Sequence, residues 1–183
     1  VRAGFDLAIR IGDLDDSQLV GRQIAANPRV LVAAPAYLSR RGRPETPADL
    51  VAHDCLVLVG SRGRQDRWHL RDTAGDDATV TVNGPLESNL GEVLRDAALA
   101  GAGIAMHALW HVAEDLRTGR LLRVLPHHAP PETGIHALMP DRAFVPPRTR
   151  AFVAFLQTEF AANPQWHTRP DDRSRPLENV KDA

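Results

Sequence analysis

Apolar and polar positions alternate from Phe5 to Ile11, and the alternation stops at Gly12-Asp13, where a polar stretch runs to Ser17. Alternation with a period of two predicts a half-buried strand, and the glycine marks its end. Leu19–Ile24 and Val30–Ala34 read as two further extended segments. Pro35-Ala36-Tyr37-Leu38 then switches to a short helix, with Pro35 in the first turn, where a missing N–H costs nothing, and Gly42 closing it. Thr46 to Leu50 opens a second short helix, with Thr46 as N-cap, Pro47 behind it and Asp49 in the first turn.

Cys55–Val59 is a continuous apolar run of strand length. Arg67–Leu70 and Thr79–Val82 flank Ala74-Gly75-Asp76-Asp77, which predicts a hairpin with a loop of several residues. The stretch from Ser88 to His107 is the most informative of the chain. Leu90, Val93, Leu94, Ala97 and Gly101 follow the spacing of one helical face, with Asn89 as the expected N-cap and Glu92 as the return arm of a capping box. Gly101 and Gly103 then turn the chain into a short buried strand. A helix start of this kind aims free N–H groups at whatever precedes it, which suits a small anion.

Trp110–Leu116 forms an amphipathic helix stopped by Thr118-Gly119, and Leu121–Leu125 a strand ended by Pro126. Pro130–Gly134 is a linker into the strand Ile135–Met139. Pro146-Pro147 opens the last helix, with Phe152, Phe155, Leu156 and Phe160 expected on its buried face. From His167 the chain is charged and poor in apolar residues, so residues 167–183 are expected to be a mobile tail. Alternating strands and helices predict an α/β architecture with largely parallel pairing. Two passages, at Ala34-Pro35 and after Gly134, divide the chain into 1–34, 35–133 and 134–166, the central segment being a lobe of its own and the outer two sharing another.

Composition narrows the function. The 183 residues are 43% hydrophobic and 25% charged, enough for a packed core, and the net charge of −1 lacks the basic stripe of a nucleic-acid binder. Cys55 is the sole cysteine, in the setting of a buried strand, so neither a disulfide nor a multi-cysteine metal site is expected. No apolar run approaches a membrane span. His107 and His111 lie four apart with Glu114 beyond, yet no Glu follows the first histidine as the metalloprotease pattern requires. Asp13, Asp15 and Asp16 lack the glycine and glutamate of a calcium loop. Ser39, Ser61 and Ser88 sit in no nucleophile elbow, and the glycines at 101 and 103 follow a helix where a dinucleotide fingerprint precedes one. Neither a catalytic constellation nor a cofactor motif emerges. Arg10, at the end of its strand beside Gly12, is a candidate clamp for a carboxylate, with a structural pair to Asp6 as the alternative.

Phe5–Gly12, Val30–Leu38, Thr46–Leu50 with His53–Leu56, Ala100–Ala105, and Gly119–Leu121 with Val124–Pro126 together resemble, in their order and spacing, the effector-binding region of LysR-type transcriptional regulators. The resemblance covers residues 4 to 166. It implies a type 2 periplasmic-binding-protein-like fold of two α/β lobes joined by two crossover strands, with Phe5–Ile11 as a central strand of the first lobe. That lobe is incomplete here, because the family's first sensor strand, following helix and helix-turn-helix are missing. The chain also lacks an initiator Met, and a fragment of a longer bacterial protein is expected.

Further expectations follow from the resemblance. A small-molecule effector, a carboxylate or aromatic acid, binds between the lobes, against Arg10, Ile11 and Gly12, against Ala34 and Pro35, and against Ser88, Asn89 and Leu90, with Gly103 and His107 bordering. Promoter DNA is contacted only through the missing helix-turn-helix. The full-length protein is a cytoplasmic homo-oligomer that needs no cofactor and touches no membrane. Ser88 and Asn89 are the expected anion contacts. A solute-binding protein of the same fold is the alternative, and an enzyme using His107 with Glu114 a third reading.

Overall fold

The computed structural model describes residues 5–12, 20–60, 63–139 and 145–163. The acidic turn at Asp13–Asp16, Ser61 and the expected mobile tail lie outside them. The strands are β1 (Ala8–Ile11), β2 (Val20–Asn27), β3 (Arg29–Ala33), β4 (Cys55–Gly60), β5 (Gly63–Arg64), β6 (Arg67–Asp72), β7 (Asp77–Thr81), β8 (Glu87–Ser88), β9 (Ile104–Ala108), β10 (Leu122–Val124), β11 (His128–Ala129) and β12 (Thr133–Met139). The helices are α1 (Pro35–Arg41), α2 (Gly91–Leu99), α3 (Leu109–Arg117) and α4 (Pro147–Ala162), with a 3-10 turn at Pro47–Ala52.

These form three sheets. β1, β12 and β2 make one, with β12 in the middle; β10, β3, β9, β4 and β5 make the second, with β8 also on β4; β11, β6 and β7 make the third. The expected parallel pairing is confined to β4 with β9 and β4 with β8, and every other pair is antiparallel. The reason is visible in β3. It enters the second sheet beside β9, which sits far along the chain and runs the opposite way.

The continuous apolar runs are strands covered on both faces, as such runs require. Leu31, Ala33, Cys55, Val57 and Ile104 pack towards Tyr37 and the hairpin residues Trp68, Leu70 and Val80. Val30, Val32, Leu56 and Ala105 pack the other way, towards Leu94 and Ala98 of α2 and Leu109 and Val112 of α3. Burying a side chain such as Leu94 contributes ~1.5–3 kcal/mol. On α2 the buried face is therefore Leu94 and Ala98, whereas Leu90 and Val93, expected on it, are exposed.

The first sheet packs Ile24, Ile135 and Ala137 against Val153 of α4. Here too the helix turns differently from the expected face. Phe152 and Phe155 are exposed, and Thr149, Val153, Leu156 and Phe160 face the sheet or are partly covered by it. The strand ending at Ile11 is not central among the described strands: β1 bonds only to β12, and Ile9 and Ile11 are exposed. Asp6, the expected structural partner of Arg10, pairs with Arg148 at 2.8 Å.

The two chain passages between the first and second sheets lie side by side. Pro28 separates β2 from β3, and the guanidinium of Arg29 donates to the Pro131 carbonyl at 3.1 Å. Asn27, 3% exposed, faces Thr133 across the β2–β12 ladder and donates to its hydroxyl at 2.9 Å.

Candidate functional site

The unit from Ser88 to His107 folds as a helix, a tight glycine turn and a strand. At its far end, Ala102 N–H donates to the Ala97 carbonyl and Gly101 N–H to the Ala98 carbonyl, the paired bonds that close a helix on a left-handed residue. Gly101 has φ +77°, which glycine adopts without cost. A Cβ at Gly103 would collide with the Asp54 carbonyl, so this glycine lets the strand approach its neighbour.

The start of α2 differs from expectation. Leu90, not Asn89, is the N-cap, and no side chain caps the helix, so the Asn89–Glu92 capping box is not formed. The Ser88 hydroxyl instead accepts a hydrogen bond from Leu90 N–H at 3.1 Å. Its own proton stays available for donation. The amides of Gly91, Glu92 and Val93 come before the first intrahelical bond, made by Leu94 N–H to the Leu90 carbonyl.

Two histidines close over this start. Cε1 of His107 and of His111 lie 3.8 and 3.9 Å from where a Gly91 Cβ would stand, and the rings meet edge-on with centroids 5.1 Å apart. His107 belongs to β9 and His111 to α3, so their spacing of four spans a strand–helix junction. His107 is 5% exposed, and its Nε2 has no hydrogen-bond partner. Burial, with His111 and Arg95 adding to it, pushes the imidazole down to about 4 against the opposing pull of Glu92 and Asp115. The neutral ring is therefore the resting form.

The expected site residues fall into three groups. Ser88, Asn89, Leu90 and His107 come together at the start of α2. Ala34, Pro35 and Gly103 lie at the opposite end of the same unit. There Pro35 opens α1, the backbone of Tyr37 stands 3.8 Å from the Cβ position of Gly101, and Arg40 donates to the Gly101 carbonyl at 2.9 Å. The nine residues of α2, about 13 Å of helix, separate the two ends. Arg10, Ile11 and Gly12 end β1 in the other sheet, where Gly12 N–H donates to the Gly134 carbonyl at 2.9 Å. Arg10 is half-buried and Ile11 exposed. Glu114 does not join His107: it is exposed and held by Arg117 at 2.6 Å, which keeps its carboxyl below the usual range.

Sequence reasoning missed what lies behind the histidines. Trp110 stacks on His111 with centroids 5.3 Å apart, packs into the core of the first sheet and donates from Nε1 to the Asn27 Oδ1 at 3.0 Å. Leu109 N–H donates to the Pro28 carbonyl at 2.8 Å. The start of α2 is thus connected through His111, Trp110 and Asn27 to Thr133, and so to both chain passages. The adjacent tryptophan and histidine at a predicted helix start were the signal that could have found it. On the opposite face of the second sheet, a cavity of about 370 Å³ is lined by Arg29, Arg64, Arg67, Trp68, Met106 and Glu132, among others. Arg64 there is already engaged by Asp66, Glu87 and Asn83. No group of three or more His, Cys, Asp or Glu side chains among the described residues is placed to hold a metal ion.

The family described as the LysR substrate binding domain matches residues 1–161. The chain belongs to that family. It is similar to the HTH-type transcriptional regulator DmlR of Escherichia coli strain K12, at 37% identity over 88% of this chain and 52% of the relative. The regulatory domain of CrgA, a LysR-type transcriptional regulator from Neisseria meningitidis, superposes with a TM-score of 0.72 at 28% identity, over 86% of this chain and 76% of that one. The full-length Vibrio cholerae virulence activator AphB superposes with a TM-score of 0.71 at 26% identity, over 85% of this chain and 52% of that one. The LysR-family fold is therefore periplasmic-binding-protein-like, as the sequence implied. The chain spans about half the length of the curated relatives it matches. Among the described residues no helix is long and apolar enough to cross a membrane.

Proposed function

We propose that this chain is the effector-sensing part of a LysR-type, DNA-binding transcriptional regulator, with no catalytic activity of its own. The relatives are regulators and regulatory domains, which favours sensing over solute transport. The observation that carries the reading is the start of α2, where uncapped N–H groups and the Ser88 hydroxyl lie beside the buried ring of His107, whose Nε2 is unpartnered. Such a start attracts the anionic end of a small molecule, and a carboxylate or aromatic acid is the ligand class assigned to it.

In this reading the lobes are residues 1–28 with 133–166, and residues 29–132. The hydrogen bonding of β3 to β9 and β10 supports moving the first passage from Ala34-Pro35 back to Asn27-Pro28. The effector shifts the population of lobe arrangements by its differential affinity for them. A helix-turn-helix elsewhere in the cytoplasmic, homo-oligomeric protein conveys the shift to promoter DNA.

Ser88→Ala tests the site. Thermal-shift screening of small carboxylates identifies a ligand, since one present at a hundredfold excess over its Kd stabilises the chain by about 2.7 kcal/mol. Calorimetry with that ligand is expected to show Ser88→Ala weakening it by ~1–2 kcal/mol, the worth of one donated hydrogen bond. Unchanged affinity would remove Ser88 from the site.

A further inference from the structure

The first turn of α2 presents the N–H groups of Gly91, Glu92 and Val93 with no acceptor among the described residues. His107 stands against that turn, nine-tenths buried, with Nε2 unpartnered. A buried polar atom without a partner costs roughly 1–3 kcal/mol, and a retained cost of that kind calls for a use. A Cβ at position 91 would stand in ordinary van der Waals contact with both imidazoles, which places the two rings directly beside this turn.

We propose that His107 is the charge-selecting contact of this site: a ligand carboxylate docks on the N–H groups of α2, accepts a hydrogen bond from Nε2, and His107 takes up one proton from solvent as it binds. The inference rests on the effector-site reading above and adds its ligand chemistry. In the empty site the ring is neutral, pushed down to about 4 chiefly by burial. A carboxylate brought alongside supplies the opposite charge that favours the imidazolium. Glu92 on α2 and Asp115 on α3 favour the proton, whereas Arg95 on α2 and His111 on α3 oppose it. On the adjoining strand β3, the residue opposite His107 is the uncharged Val30. Arg95 is already held by Asp115 at 2.6 Å and so is not free to add to the site. A single added charge, with Glu92 in the first turn, matches a monoanionic carboxylate better than a phosphate dianion.

Linkage makes this measurable. A group protonated in the bound state and neutral in the free state makes affinity rise as pH falls, by about tenfold per pH unit where one proton is taken up. Trifluoroacetate is a suitable probe, since it stays ionised throughout and reports by fluorine NMR. Titrated into the 183-residue chain from pH 7.5 to 5, it is expected to bind more tightly as pH falls. Over the same range the His107 Cε1–H signal moves to the imidazolium position only when the probe is present. Neutral trifluoroacetamide shows no such slope. In His107→Gln the slope disappears while the amides of Gly91–Val93 still respond.

The outcomes separate the two readings. Trifluoroacetate that shifts the α2 amides with a flat pH profile and a neutral His107 overturns proton uptake and leaves the effector site standing. Tighter binding of inorganic phosphate than of trifluoroacetate overturns the carboxylate assignment. No response of the α2 amides to any carboxylate overturns both. Because the His107 signal is read in the unaltered chain, the test does not depend on the variant folding.

Discussion

Asp115→Ala is expected to destabilise the chain by about 3 kcal/mol, the low end for removing one partner from a buried ion pair, because the arginines left behind are part-exposed. The Asp115 side chain is fully buried on α3 and holds Arg95 of α2 at 2.6 Å and Arg120 at 2.7 Å. Without the carboxylate, the quarter-exposed Arg95 keeps only the long, exposed contact to Asp96 at 3.6 Å. The pair fixes α2 against α3, and hence the histidines against the helix start. In a domain of this size the expected fall in Tm is roughly 10 °C. A control separates the uncompensated charge from lost packing. Asp115→Leu combined with Arg95→Met removes the buried carboxylate and its less exposed arginine, leaves Arg120 in solvent, and is expected to recover much of the loss, since apolar replacement of a buried pair is often close to neutral. A change below about 1 kcal/mol in Asp115→Ala, read by urea unfolding, would show that the pair does not hold the helices together.

Asn27→Leu is the second large effect, at about 2–3 kcal/mol. It deletes the acceptor for Trp110 Nε1 and the donor to Thr133, whose hydroxyl keeps only its long contact to the Asn27 carbonyl at 3.5 Å, and it leaves the half-buried indole N–H without its partner. The loss has a functional side. Asn27 is the point at which α3 is bonded to both passages, so its removal is expected to weaken the link between ligand and sheet arrangement more than it weakens ligand binding itself. Thermal unfolding with and without a bound carboxylate reads both. A stability change within about 0.5 kcal/mol would mean that the Trp110–Asn27–Thr133 chain carries no energy.

Much of this fold is legible along the chain because the decisive signals are local. Pro35 sits at the first turn of α1, and Asp49 accepts from Thr46 N–H at 2.8 Å at the start of the 3-10 turn, as their spacing implied. The closing turn of α2 at Gly101 and the hairpin of β6 with β7 also follow from neighbours in sequence. What failed was non-local. Pairing direction depends on which distant strand arrives alongside, and an apolar run such as Val30–Ala33 fits either direction. The last helix carries apolar residues on more than one side, so periodicity could not choose between the Phe152–Phe155 side and the Val153 side.

The site divides in the same way. The place where α2 starts is a local property of one helix and was readable to within a residue, whereas the expected Asn89–Glu92 capping box is not formed. Ala34, Pro35 and Gly103 carry the family's local pattern, yet the length of α2 and β9 puts them at the other end of the unit. Trp110 and Asn27 meet across 83 residues, and no local rule joins a tryptophan to an asparagine at that distance. His107 reads as an ordinary strand residue until the glycine start of α2 is placed against it.

Amide mapping of the nitrogen-15-labelled chain during titration with a carboxylate ligand tests the central claim most directly. The account predicts that the largest shifts fall on Leu90, Gly91, Glu92 and Val93, with His107 and His111 following. Shifts centred on the cavity around Arg29, Arg64 and Arg67, with the start of α2 unmoved, would contradict it.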